Sequence, residues 1–401
     1  MKLKNRISGW FGYGYRRKLS AGHLKIFSVI AFILAIYQVW SVIWGKLDPL
    51  HQMALHLSFI LALTFLNYGY SNKVTTAEDK DSPTIVDYIA SLLAISAGIH
   101  FTLQAQWIST RIPFTDPLGA LDLFFGLVYI LLTIEAARRT IGFPIIAIIL
   151  IGFSYTLWGH HLSGLWYHRQ FAVTEFIDEL AYSYNGLWGS PMAVAATFVF
   201  MFLLLGAFLK KAGAGEFFFQ LSIALAGRTR GGAAKVTVLA SAFFGSISGS
   251  PTGNVVTTGP FTIPISKKSG YKPSFAAGIE AAASTGGSIL PPIMGSSAFL
   301  MAAVTQIPYG QIALAAFIPA ILYYASLMFI VHLEAVRSDL PRPEAENIPR
   351  IKDVLKEGWY YFIPFIILVY LLVNGFSPSR TAFYAILSII VVSWFKKDSR
   401  I

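Results

Sequence analysis

The sequence predicts an all-α polytopic membrane protein, and three observations carry that prediction. Of its 401 residues, 55% are hydrophobic and only 13% are charged, about half of the ~25% charged residues usual in a soluble domain. Apolar stretches long enough to cross a bilayer recur along the chain, and the mean hydropathy is +0.60. Between residues 233 and 302, apolar segments are twice interrupted by small polar residues rather than by charged loops. Together these give about ten spanning helices, one re-entrant helical hairpin and one broken helix.

Composition also excludes. The formal net charge of +11 sits in clusters beside apolar spans, with no basic domain or aromatic-interleaved patch of the kind that binds nucleic acid. The absence of cysteine removes disulfides, thiolate catalysis and Cys-ligated metals. The first apolar run, 24–44, is long for a signal-peptide core and lacks a small-x-small cleavage site, so it reads as an uncleaved helix.

Spans are expected near 24–44, 52–70, 86–105, 118–137, 141–160, 190–209, 309–332, 357–374 and 379–395, besides the hairpin and the broken helix. Lys2, Lys4, Arg6, Arg16, Arg17 and Lys18 place the N-terminus in the cytoplasm. Alternating from there, Lys73/Lys80, Arg138/Arg139, Lys210/Lys211 with Arg228/Arg230/Lys235, Lys267/Lys268/Lys272, Arg337/Arg342/Arg350/Lys352/Lys356 and Lys396/Lys397/Arg400 share that side. The agreement requires 233–266 to enter and leave from one side. Its halves, 233–247 and 253–266, are helices of about 15 and 14 residues, each short of the ~20 that span hydrocarbon. Trp40, Trp44, Trp158 and Trp188 stand near span ends as interfacial anchors. Residues 161–189 read as an interfacial helix or a partner surface, 213–227 as an amphipathic interfacial segment, and 334–356 as a cytoplasmic linker.

The two interruptions are the candidate site. At the hairpin tip, Ser246, Ser248, Gly249, Ser250, Thr252, Asn254, Thr257 and Thr258 offer uncharged oxygens suited to a hard cation, with Pro251 helping to break the helix. A helix starting near Gly253 turns free N–H groups inward, which suits a carboxylate. The second break, within 274–304, comprises Thr285, Gly286, Gly287 and Ser288 after Ser284, with Pro291 and Pro292 close behind. Irregular backbone at membrane depth is tolerated where it lines a cavity, and paired broken elements are how secondary transporters build substrate and sodium sites. The competing reading is close helix packing through small residues.

Glu280, an ionisable group inside the broken-helix span, is either functional or paired with a lysine of 267–272. Asp122 and Glu135, near span ends, read as paired or solvated. Neither His160-His161 nor any phosphate-loop motif supports a metal or ATP site. An intramembrane serine protease would need more than Ser246-Ile247-Ser248-Gly249, which lacks the leading glycine of G-x-S-G, and His100 and His332 have no spacing that ties them to it.

The stretch FFGSISGSPTGNVVTTGPFTIPISKKSGYKPSFAAGIEAAASTGGSILPPIMG resembles the large membrane subunit of tripartite ATP-independent periplasmic (TRAP) transporters, most closely the fused TAXI-type permeases. The resemblance implies sodium-coupled import of organic acids in a bacterial or archaeal cytoplasmic membrane, with sodium as coupling ion, no other cofactor, and a periplasmic substrate-binding protein as partner. It further implies elevator-type movement of a transport domain against a scaffold. Residues 1–140 are then a four-helix small-subunit-like bundle, 141–333 a first large-subunit repeat, and 357–401 the start of a second. The family pattern has two hairpin and broken-helix sets where this chain has one. The expectation is therefore that the remaining C-terminal half or a second polypeptide completes the site, and a non-transporting scaffold or assembly subunit stays open as an alternative.

Overall fold

A computed structural model describes residues 14–45, 48–70, 82–340 and 348–394. The clusters Lys2/Lys4/Arg6, Lys73/Lys80 and Lys396/Lys397/Arg400, together with Arg342, lie outside the described residues. Among the described residues every regular element is helical, and eight helices are long and apolar enough to cross a membrane. Two compact units divide the chain, residues 1–196 and 197–401.

In the first unit, α1 (Ala21–Ile43), α2 (Pro49–Asn67), α3 (Ile85–Leu103), α5 (Ala120–Thr140) and α6 (Phe143–Trp158) are the membrane-length elements; α4 (Ala105–Thr110) and α7 (Val173–Ala181) are short. Two of these starts have a local cause. Asp48 caps α2 through the Leu50 amide at 2.8 Å, and Thr84 with Asp87 forms a capping box on α3. The core of the unit joins Leu57, Ala94, Phe101, Tyr129 and Tyr182. Trp188 belongs to it too: this side chain is 1% exposed and donates its indole N–H to the Ala181 carbonyl at 2.6 Å. The interfacial reading of Trp188 is thereby corrected, because its polar tip finds a partner inside; Trp40, Trp44 and Trp158 are exposed.

Charge in this unit is buried in pairs. Asp87 accepts from Arg17 and Arg139, each at 2.6 Å, and Arg139 also meets Glu135 at 2.7 Å. Asp122 faces His100 at 3.0 Å. Both acids near span ends are thus paired. A polar cluster also lies among apolar helices: His56 and Gln52 reach Gln38 at 2.8 and 3.3 Å.

The helix α8 runs Ser190–Lys211 with one π turn, Ala195–Val199, and its later part belongs to the second unit. There follow α9 (Ala214–Ala226), α10 (Gly232–Ser248), α11 (Pro251–Lys268), α12 (Pro273–Gly286), α13 (Ser296–Thr305), α14 (Tyr309–Arg337), α15 (Ile351–Gly358), α16 (Ile363–Val373) and α17 (Pro378–Ser393). The helix α9 packs as well as borders: Phe218 stacks on Phe243 of α10 at 5.2 Å. The linker is shorter than 334–356, since α14 continues to Arg337 and α15 begins at Ile351; residues 341–347 lie outside the described residues. Just past the end of α14, Asp339 pairs with Arg230 of the segment before α10.

Candidate functional site

The hairpin turns in two residues. Gly249 ends α10 in the left-handed region at φ 60°, where a Cβ is costly, and Ser250 caps α11 by accepting from the Gly253 amide at 3.2 Å. Pro251 occupies the first helical turn, where its missing N–H is harmless. The irregular tip is therefore narrower than the sequence suggests: Ser248 closes α10, and Pro251, Thr252 and Gly253 open α11. The second break is shifted similarly. Ser284, Thr285 and Gly286 still belong to α12, and irregular backbone runs from 287 to 295 through a cis Pro291-Pro292 bond.

Tip and break meet. The Ile293 amide donates to the Ser246 carbonyl at 3.3 Å, and Gly249 passes so close to the Met294 carbonyl that a Cβ there would clash. Tyr309 pins the far side of the break, its hydroxyl 2.9 Å from the Pro292 carbonyl. A cavity of about 100 Å³ lies at this junction, lined in part by Ser248, Gly249, Ser250, Met294 and Ser296. A larger one, about 310 Å³, flanks the tip against Lys210, Phe244, Gly253 and Thr257. Small polar groups at the tip thus face open space. The uncharged lining of the smaller cavity can hold a small cation or a polar ligand, the larger one adds the positive charge of Lys210, and neither lining contains a nucleophile–base pair for covalent chemistry.

The remaining candidates are placed differently. Ser246 is buried and donates to the Phe243 carbonyl at 2.9 Å. Thr252 is exposed, as is Thr285, which bonds back to the Ala281 carbonyl at 2.8 Å. Ser288 bonds to the Thr285 carbonyl at 2.8 Å and borders a separate cavity. Gly286 lies under the ring of Tyr323, and Gly287 abuts the backbone of Gly245. Close packing accounts for both glycines.

Deeper in the hairpin is a constellation that sequence reasoning saw only in part. Glu280 is 0% exposed. Its Oε1 accepts from Thr258 at 2.5 Å, Ser284 at 3.1 Å and Ser241 at 3.2 Å, while Oε2 accepts from Thr262 at 2.6 Å. Among the described residues no cation lies within ion-pair distance of Glu280, and Lys267, Lys268 and Lys272 are exposed, so the lysine pairing is not formed. The reason is geometric: Glu280 points between the hairpin arms, away from the turn. Asn254 braces the same arms, donating to the Ser241 carbonyl at 2.8 Å. Ser241 and Thr262 were not singled out from the sequence, and Ser284 was noted only as the first residue of the second break. Their signal was periodic: Asn254, Thr258, Thr262 and Ser266 recur every four residues on α11, Thr237 and Ser241 on α10, and Glu280 and Ser284 on α12.

A helical hairpin whose tip abuts a broken helix, set in an all-α polytopic protein, is the broken-element architecture on which secondary transporters build their sites. The chain belongs to the family of the tripartite ATP-independent periplasmic transporter DctM component, whose model matches residues 128–401. It is 30% identical over 202 residues to a C4-dicarboxylate TRAP transporter large permease protein of Pseudomonas aeruginosa, covering 50% of this chain and 47% of that protein. A sialic acid TRAP transporter permease protein of Haemophilus influenzae is 25% identical over 319 residues, covering 76% of this chain and 47% of the relative. An ectoine/5-hydroxyectoine large permease protein of Ruegeria pomeroyi is 30% identical over 171 residues, 42% of this chain and 40% of that protein. The chain spans about half the length of the curated relatives it matches.

Proposed function

We propose that this chain is part of a sodium-coupled permease that imports organic acids delivered by a periplasmic substrate-binding protein. The observation that carries the reading is the junction at which the Ser248-Gly249-Ser250 tip faces the 287–295 break across a small cavity. Hydroxyl and carbonyl oxygens there suit a hard cation, and the capped start of α11 presents partial positive charge to a carboxylate. The relatives named for C4-dicarboxylates and sialic acid are named for acids, which supports the substrate class. The Haemophilus alignment covers a larger share of the chain than the family model does, so it reaches into the spans before residue 128. In the proposed reading the first four spans are the small-subunit-like part of a fused permease.

The test is uptake of radiolabelled dicarboxylate into proteoliposomes holding the complete permease that carries this chain, with its binding protein outside. Uptake is expected to need an inward sodium gradient. Equal uptake when potassium replaces sodium on both sides would overturn the coupling, and no uptake under any gradient would favour the scaffold alternative.

A further inference from the structure

The larger of the two cavities at the hairpin, about 310 Å³, is a groove with chemically different ends. Its walls are apolar: Phe202, Leu203, Gly206 and Ala207 of α8 line it together with Phe244 and Ile247 of α10. From Phe202 to Lys210 along α8 the groove runs about 12 Å at 1.5 Å per residue. One end is the hairpin tip, where Ser250, Gly253 and Thr257 border it. The other end holds Lys210 beside Ala214 and Gly215, the first residues of α9. The side is open: Leu203 is 55% exposed, and Ala207, one helical turn on, is exposed as well. That stripe belongs to an apolar helix of membrane length, so the opening faces hydrocarbon.

Charge decides what the groove suits. Lys210 is exposed, and among the described residues no carboxylate lies within ion-pair distance of it. The first turn of α9 has no side-chain cap, so its free amides add partial positive charge at the same end. The acid of that turn, Glu216, accepts from Gln220 at 2.7 Å and borders a different cavity. This end therefore disfavours a cation and favours an anionic group. The walls then choose between anions. A free dicarboxylate would lose its hydration along apolar side chains, whereas an acyl chain has no hydration to lose. Moving a chain out of the bilayer gains no hydrophobic free energy, because lipid is as apolar as the groove. Selectivity must come from the headgroup.

We propose that this groove is a binding site for an anionic phospholipid, with the phosphate beside Lys210 and the α9 amides and one acyl chain lying along α8 toward the hairpin tip. Basic pockets between membrane helices hold such headgroups by the same attraction. A chain so placed reaches Ser250 and Thr257. Any effect of the lipid on transport rests on the permease reading above; the binding itself does not.

The experiment is photo-crosslinking of the purified permease in phosphatidylcholine nanodiscs doped with a phosphatidylglycerol that carries a diazirine in one acyl chain, followed by peptide mapping. Labels are expected on residues 202–210 and 244–257, several-fold above those on α6, an apolar helix of which Ile146 alone is buried. Added unlabelled phosphatidylglycerol is expected to suppress the groove labels, and added phosphatidylcholine with the same chains to leave them. Lys210→Gln is expected to lower them about five-fold, the worth of one lysine facing an anionic headgroup, with labelling of α6 unchanged. Equal labelling of groove and α6, or equal suppression by both lipids, would overturn the proposal. Suppression by a free dicarboxylate would overturn it too and give the groove to the transported acid. Should Lys210→Gln not fold, Ala207→Trp, which fills the groove, is expected to remove the same labels, and their retention would count against the site in the same way. Sodium-driven uptake by the wild-type permease is measured separately, so a failure there leaves the crosslinking result standing.

Discussion

Gly245 of α10 and Gly287 at the end of α12 meet backbone to backbone: a Cβ on Gly245 would lie 2.5 Å from the Gly287 Cα, and one on Gly287 would clash in return. This contact sets the depth at which hairpin and broken helix lie together. Gly287 has ordinary helical dihedrals, φ −60° and ψ −27°, so alanine there suffers only sterically. Gly287→Ala is expected to destabilise by roughly 1–3 kcal/mol through overpacking, seen as a lowered midpoint in thermal denaturation of the detergent-solubilised protein. Gly278, inside α12 with nothing within 4 Å of its would-be Cβ, supplies the control: Gly278→Ala is expected to raise the midpoint slightly, because alanine in a helix interior is favoured over glycine by roughly 0.5–1 kcal/mol.

How much of this was legible in the sequence can be argued from a few residues. Spans, hairpin and broken helix were readable because hydropathy and length are local properties. The ends of the breaks were misplaced by a few residues because Pro251 and Gly253 look like helix breakers, whereas a capped first turn accepts them. Gly286 and Gly287 look like ligand-site glycines until Tyr323 and Gly245 are seen against them, and that contact is tertiary. Glu280 could not be resolved between a functional role and a lysine pair, since the choice depends on which side of α12 faces the hairpin. Trp188 failed for the same reason, its proximity to a span end saying nothing about the ring of aromatics around it.

Arg111 and Asp178 form a buried pair in the first unit, with side chains 0% and 6% exposed. The Phe114 amide also donates to this carboxylate at 3.1 Å, and Arg111 bonds the Asp116 carbonyl at 2.6 Å. Removing one partner leaves a buried charge, and Asp178→Ala is expected to cost roughly 3–5 kcal/mol. Asp178→Leu combined with Arg111→Met is expected to recover much of that loss. Chemical or thermal unfolding followed by tryptophan fluorescence measures both, and equal losses in the single and double variants would show that the charge is not the cause.

Two separable roles are proposed for Ser250. As the cap of α11 its loss is expected to cost about 1 kcal/mol, a modest fall in thermal stability. As a lining oxygen of the tip cavity its loss is expected to raise the sodium concentration for half-maximal uptake several-fold. Ser250→Gly separates these, because glycine at a cap costs only a few tenths of a kcal/mol: it is expected to keep stability while still requiring more sodium. Unchanged sodium dependence in Ser250→Gly would return Ser250 to a purely structural role.

The last prediction concerns which side of the membrane the hairpin opens to. At 17 and 18 residues, its arms are about 26 Å long at 1.5 Å per residue, longer than the sequence suggested, so length alone discriminates less than packing. The Tyr271 hydroxyl lies 3.4 Å from the Gly231 carbonyl, and Thr237 faces Ser266 at 3.3 Å. Both contacts join the beginning of α10 to the end of α11, so the segment enters and leaves at the same end. Lys210, Lys211, Arg228, Arg230, Lys267, Lys268 and Lys272 are then expected to share one side, and the excess of positive charge predicts that this side is cytoplasmic. Because the chain has no cysteine, Ser269→Cys introduces one unique thiol beside the turn. It is expected to react with a membrane-impermeant maleimide in inside-out vesicles and to resist it in intact spheroplasts, and labelling in spheroplasts would put the hairpin base outside and invert the orientation proposed for every later span.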